Sequence, residues 1–270
     1  MKYGLLNISI APMRADPTDT SEMVNQILFG EQYKVIESRK NFSKIRLSHD
    51  KYEGWICNKQ LTSITKEEYD NLAVKEKHFT TDVLDIIKSD SFQTIVMGSV
   101  ISDLKEGSFT FNNIDYTFEG LTTSGKKDKS MLVENAMMFL NAPYLWGGRT
   151  PFGIDCSGFS QVVYRLNGIE IPRDAGPQSE VGTTLSFVEE SESGDLAFFD
   201  NNEGEIVHVG IILENNHIIH ASGKVRIDRI DQQGIFNLEK GVHTHKLLLT
   251  LIIQPLLYVI KIGFYFFFSI

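Results

Sequence analysis

Only two cysteines, Cys57 and Cys156, occur in the 270 residues, which excludes a framework of several disulfides and suits a reducing compartment. No Lys/Arg block stands outside the short GKKDK at 125–129. The balance of 26 Lys plus Arg against 35 Asp plus Glu leaves −9, so nucleic acid is not an expected partner. There is no Cys-x-x-Cys or His-Glu-x-x-His pair, so no metal site is expected, and no cofactor is invoked. The opening MKYGLLNISIAPMRADPTDT has one lysine and a short apolar run interrupted by Pro12, Arg14 and Asp16. It does not read as a signal peptide, and a cytoplasmic location is the expectation. What is present is an ordinary globular composition and length enough for two or three small domains.

One apolar run stands out. From Leu247 the chain reads LLLTLIIQPLLYVIKIGFYFFFSI, which approaches the span of a bilayer core. Gln254-Pro255 and Lys261 interrupt it and no basic flank follows. The reading preferred over a tail anchor is that Leu247 to Ile253 completes a buried strand and the rest is an aberrant extension. Membrane contact is expected only if that tail inserts.

From Asn7 to Leu61, short β-like runs (GEQYKVIES, FSKIRLS, YEGWICN) alternate with polar turns. Alternation puts Tyr33 with Val35, and Ile45 with Leu47, on single faces, as in half-buried antiparallel strands. A helix-favouring stretch, TKEEYDNLAVKEK, bridges to a second β-rich segment from Phe79 to Leu121. The order resembles two tandem bacterial SH3-type barrels, the first carrying the Gly-Trp-Ile turn into its last strand. After the polar linker at 122–129 the period becomes helical, with Met131, Leu132, Asn135, Ala136, Phe139 and Leu140 on one face of a helix ending before Pro143. A second helix, CSGFSQVVYRLNG, has Phe159, Val162, Val163 and Leu166 inward and stops at Gly168. Strands follow in GDLAFFD, IVHVGIIL, HIIHAS and VRIDRI, so the class is α+β.

Cys156 opens the second helix, where unsatisfied amides and the positive dipole end favour a thiolate. Taken alone it reads more readily as a small buried apolar residue. The histidines change this. Strand alternation places His208 beside Gly210, giving a candidate general base. His217 and His220, three apart, point to opposite faces, so one of them can orient His208 across a hairpin turned at ENN. Spacing does not choose, although His220, followed by Ala221 and Ser222, suits a buried position and His217 a solvated turn. His243 and His245 share a face two residues apart and read as a chance surface pair.

The set PYLWGGRTPFGIDCSGFSQ, GDLAFF, HVGIIL and IIHAS, across roughly residues 130 to 250, resembles the NlpC/p60-type papain-like cell-wall cysteine peptidases. The resemblance implies Cys156 as nucleophile, His208 as base and His220 as the residue that orients it. It further implies Tyr144 at the oxyanion side, Asp155 and Ser157 as holders of the free amine of an N-terminal L-alanine, and Arg173 near the substrate carboxylates. Glu22 and Tyr52, from the first barrel, resemble residues that wall off the amine pocket. On residue type alone, Tyr144 could be a packing residue beside Pro143, Asp155 a helix cap, Ser157 a filler of the first turn and Arg173 half of a surface ion pair.

The implied architecture is a first SH3-type barrel at 1–62, a helical linker at 63–78, a second barrel at 79–122, a papain-like catalytic domain at 123–253 and an atypical apolar tail at 254–270. The family's closing strand normally ends soon after THKL, so the chain beyond Leu247 departs from the pattern. The implied activity is hydrolysis of the γ-D-glutamyl bond to a diamino acid, meso-diaminopimelate, in murein peptides with a free N-terminal L-Ala, a task of cell-wall peptide recycling. A peptidoglycan-binding SH3 module with an inactive papain-like domain, or an amidase or acyltransferase on the same scaffold, stands as the alternative.

Overall fold

The alternating runs near the N-terminus pair with one another. In the computed structural model, which describes residues 2–252, seven strands form one antiparallel sheet. They are β1 (Lys2–Leu5), β2 (Ile10–Arg14), β3 (Met23–Leu28), β4 (Gln32–Ser38), β5 (Phe42–Leu47), β6 (Glu53–Cys57) and β7 (Thr62–Ile64), in the order β3-β2-β6-β5-β4-β1-β7. Tyr33 stands opposite Leu47 and Val35 opposite Ile45. Their shared face is buried with Leu6, Ala11, Met13, Ile27 and Ile56, which is how a one-sided apolar alternation stabilises so short a sheet. Helix α1 (Lys66–Val74) then starts at a capping box, the Thr65 hydroxyl accepting the Glu68 amide and the Glu68 carboxylate accepting the Thr65 amide.

The second β unit comprises β8 (Lys77–Thr80), β9 (Leu84–Lys88), β10 (Phe92–Val96), β11 (Val100–Ser102), β12 (Ser108–Phe111), β13 (Ile114–Phe118) and β14 (Thr122–Thr123). These make two small sheets, β10-β9-β13-β12 and β11-β8-β14. Their core of Ile87, Ile95, Ile101, Phe109, Phe111 and Phe118 takes in Leu5 and Phe29 of the first unit, with Phe29 stacked on Phe111 at 4.5 Å. The two β units therefore share apolar burial.

Helices come next: α2 (Ser130–Met137), then, after the short ribbon β15 (Arg149–Thr150) and β16 (Gly153–Ile154), α3 (Cys156–Leu166) and α4 (Ala175–Ser179). α2 ends earlier than its periodicity predicts. The chain turns through Asn141 at φ 70°, and Leu140 is exposed while Leu132, Asn135, Ala136 and Phe139 are buried. All residues of α3 are buried, and Gly168, at φ 74°, sits just past its end.

The remaining strands are β17 (Thr183–Leu185), β18 (Leu196–Asp200), β19 (Ile206–Leu213), β20 (His217–Ser222), β21 (Lys224–Asp231), β22 (Gly234–Asn237) and β23 (Val242–Ile252). β23 pairs with both β18 and β22, closing six strands, β18 to β23, into a barrel on which α3 packs at β19 and β20. The closing strand is longer than the resemblance implies, because Leu249 and Leu251 pair with Phe198 and Leu196 and gain buried apolar neighbours. The expectations for Ile253 and for the tail at 254–270 lie outside the described residues. Among the described residues, no helix is long and apolar enough to cross a membrane.

The first β unit is seated on the helical part through buried polar contacts. Glu31 accepts a two-pronged ion pair from Arg149 (3.0 and 3.1 Å) and a further one from Arg165, and all three side chains are buried. Burial alone would raise the Glu31 carboxyl, but Arg149, Arg165 and His49 outweigh it and hold the group well below the carboxylate range. The Gln161 amide donates to Asp50 at 2.9 Å. At Gly147 (φ 75°) a Cβ would lie 2.3 Å from the Met23 carbonyl, so only glycine lets β3 approach this turn.

Candidate active site

Cys156 is the first residue of α3 because Asp155 caps that helix, accepting the Gly158 amide at 2.7 Å. The sulfur meets the amides of Val209 and Ser157, which sets the strand of His208 against it. Cys57 and Cys156 are both free thiols. The helix terminus does not produce a resting thiolate. Burial, then the adjacent Asp155 carboxylate, push the thiol up to about 12, against the smaller opposing effects of the Val209 amide, Arg173 and the Ser157 amide.

His208 and His220 come together across the β19–β20 hairpin, where Gly210 pairs with His220. A Cβ on Gly210 would lie 2.9 Å from that of His220, so the glycine makes room for the second ring. His208 Nε2 lies 2.8 Å from His220 Nδ1, and both side chains are buried. His217 lies at the turn end of β20, opposite Leu213, and does not join them. Burial first, then His220 and His245, hold His208 well below its ordinary value, so the ring is an unprotonated base at neutral pH. Thiol and imidazole are thus each held neutral singly, and the low-dielectric site favours charge only when both charges form together as the proton moves.

Tyr144 lies beside this centre. Burial, then Cys156 and Asp155, push its phenol up to about 12, so it keeps its proton as a donor. Arg173 is not a surface ion pair: it is buried and grips Asp155 at 2.6 and 2.9 Å, while its Nε donates to Asn25 of β3 at 2.8 Å. Asp155 accepts the Gly147 amide at 2.9 Å as well, and the Ser157 hydroxyl accepts from Arg173 at 3.0 Å. Asp155 and Ser157 thus already have internal partners. Tyr52 is pushed up to about 12 by burial and then Asp174, in a neighbourhood that includes Arg173, Asp155 and Asp50. Glu22 accepts the Trp146 indole N–H at 2.5 Å, so both first-barrel residues reach the catalytic half.

Sequence reasoning missed three groups. Asp228 accepts from His220 Nε2 at 3.2 Å; its signal was an acid at an inward phase of VRIDRI. His245 stacks on His208 at 4.3 Å and 24°, while His243 pairs with Asp231 at 3.0 Å. The surface-pair reading therefore fails for His245, because a register shift in β22–β23 lets the strand turn its ring inward. Asp174, next to Arg173, is exposed and its carboxylate caps nothing in α4. No group of His, Cys, Asp and Glu among the described residues is arranged to hold a metal ion.

A thiol at a helix start, backed by an imidazole pair on an antiparallel barrel, defines a papain-like thiol hydrolase. Residues 141–240 match the NlpC/P60 family, and residues 13–61 match the bacterial dipeptidyl-peptidase Sh3 domain. The catalytic half thus carries an NlpC/P60 cysteine-peptidase domain, with an SH3-type domain in front. It is 29% identical over 236 residues to a gamma-D-glutamyl-L-lysine dipeptidyl-peptidase of Bacillus cereus, covering 76% of this chain and 68% of that one. It is 27% identical over 254 residues to dipeptidyl-peptidase 6 of Lysinibacillus sphaericus, covering 83% and 90%. The crystal structure of an NlpC/P60 family protein from Bacillus cereus superposes with a TM-score of 0.80 at 20% identity, over 94% of this chain and 100% of that one, which speaks for the fold.

Proposed function

We propose that the protein hydrolyses the γ-D-glutamyl bond to a diamino acid in murein peptides that begin with a free L-Ala. Cys156 Sγ attacks the γ-carbonyl carbon as His208 takes the thiol proton. The tetrahedral oxyanion forms on the side of the Tyr144 phenol, and the diamino acid leaves as an amine carrying the proton from His208. Water, activated by the same imidazole, then hydrolyses the thioester and frees L-Ala-D-Glu. Catalysis assigned to Cys156, His208 and His220 rests on one observation: the buried hydrogen bond between His208 and His220 on the strands packed against the thiol helix.

The free amine is the finer part of the reading. Its support is that Tyr52 and Glu22 from the first barrel meet Asp155, Arg173 and Trp146 from the catalytic half. Because Arg173 occupies Asp155, the exposed Asp174 and the second oxygen of Glu22 are the carboxylates left for an ammonium, with Asp155 and Ser157 holding the pocket in shape. Such a closed end excludes stems still attached to sugar, which fits recycling of imported wall peptides in the cytoplasm. The Bacillus cereus relative named for an L-lysine bond makes lysine the second diamino acid to try.

The test incubates the protein and Cys156→Ala with L-Ala-γ-D-Glu-meso-diaminopimelate, its L-lysine counterpart and both N-acetylated forms, with mass spectrometry of the products. Release of L-Ala-D-Glu by the unmodified protein alone is expected, and only from free-amine peptides. No product from either would sink the activity, and equal cleavage of the acetylated forms would sink the pocket.

A further inference from the structure

The polar chain behind the base does not stop at His220. Asp228, on β21, has a fully buried carboxylate that faces His220 Nε2 at 3.2 Å. Around it stand Arg226 from the same strand (2.7 and 3.1 Å), the Leu238 amide (3.0 Å) and the Asn237 side chain (3.4 Å). Arg226 is held in turn by Glu239 at 3.0 Å, and His245 and Lys240 complete the charged surroundings.

We infer that Asp228 is a positioning residue that fixes the tautomers of both histidines, so that His208 keeps its free lone pair on Nδ1 as the base for Cys156. A carboxylate with these donors around it is ionised and only accepts, so His220 must carry its proton on Nε2. A neutral His220 then has only a lone pair on Nδ1. His208 Nε2 lies against that lone pair and must donate to it, which leaves Nδ1 of His208 unprotonated. The opposite tautomer would set the His220 Nε2 lone pair against the Asp228 carboxylate in a buried site, where such repulsion is poorly screened. The inward carboxylate is therefore part of the base and not only of the β21–β22 packing. This rests on His208 being the base of the proposed peptidase.

The protons are read directly by ¹⁵N spectra of histidine-labelled protein, with His208→Ala and His220→Ala proteins assigning the signals. In the unmodified protein at pH 7, both rings should carry hydrogen on Nε2 and a bare Nδ1. In Asp228→Asn, where the amide can donate as well as accept, the His220 signals should shift to a mixture of tautomers. Its kcat should fall about 10- to 100-fold, the size of one charge-assisted hydrogen bond, with KM little changed. The acid limb of its kcat should move to lower pH, because the negative charge that favours a protonated histidine pair is gone. A proton on Nδ1 of His220 in the unmodified protein overturns the inference even if Asp228→Asn does not fold. So does a folded Asp228→Asn with unchanged tautomers and a rate within twofold of the parent. If the unmodified protein cleaves no peptide, the proposed activity fails while the spectra still decide the relay.

Discussion

Glu31→Gln removes one negative charge from a place where two guanidinium groups meet it out of water. Arg149 and Arg165 come from the catalytic half and Glu31 from the first barrel, so the change leaves two buried cations at the seam between them. The glutamine keeps one acceptor oxygen, but its amide presents hydrogens to donors. Breaking a buried pair from one side costs about 3–5 kcal/mol, most of it the uncompensated partner charge. That corresponds to a drop in melting temperature on the order of 10 °C in a chain of this size. Urea and thermal unfolding at pH 7 measure it, and a loss under about 1 kcal/mol would refute the reasoning. Replacing the three side chains together, Glu31→Leu with Arg149→Met and Arg165→Met, should recover part of the loss, since the two guanidinium charges are no longer stranded while Asp50 keeps His49 at 3.3 Å. The pH dependence carries the same signature. A carboxyl held low in the fold stabilises above its unfolded value of 4.5 and loses that contribution as pH falls toward its folded value. Glu31→Gln should therefore differ from the parent most at neutral pH and least in strong acid. Because this seam carries Glu22 and Tyr52, loosening it should also erode the preference for free-amine over acetylated peptides.

Three further outcomes follow from the site. The acid limb of kcat/KM should lie below pH 6.5, because burial keeps His208 unprotonated; a limb above 6.5 would contradict this. Folding stability should fall over the same range, since the unfolded chain takes up protons below 6.5 that the fold refuses. His208 contributes about 1.4 kcal/mol per pH unit until its own folded value is reached. The partly exposed His245, held near 4, adds less. Asp174→Asn should raise KM for free-amine peptides several-fold and leave kcat and melting unchanged, whereas an unchanged KM in steady-state kinetics would remove Asp174 from amine recognition.

Local periodicity and capping already spoke for much of this protein. A helix that can begin only after Pro151 and stop only at Gly168 put Cys156 at its first turn, and two-residue alternation set His208 beside Gly210. The hairpin turn made His220 a candidate partner, because such patterns depend on neighbours a few residues away. What only the tertiary structure decided are contacts between elements far apart in the chain. Arg173 reaching Asp155 and Asn25, Glu31 drawing in Arg149 and Arg165, Asp228 behind His220 and His245 over His208 have no local signal beyond an occasional charge at an inward phase. Their placement depends on how three β units and a helix close on one another, and burial there turns ordinary surface residue types into partners that must be satisfied.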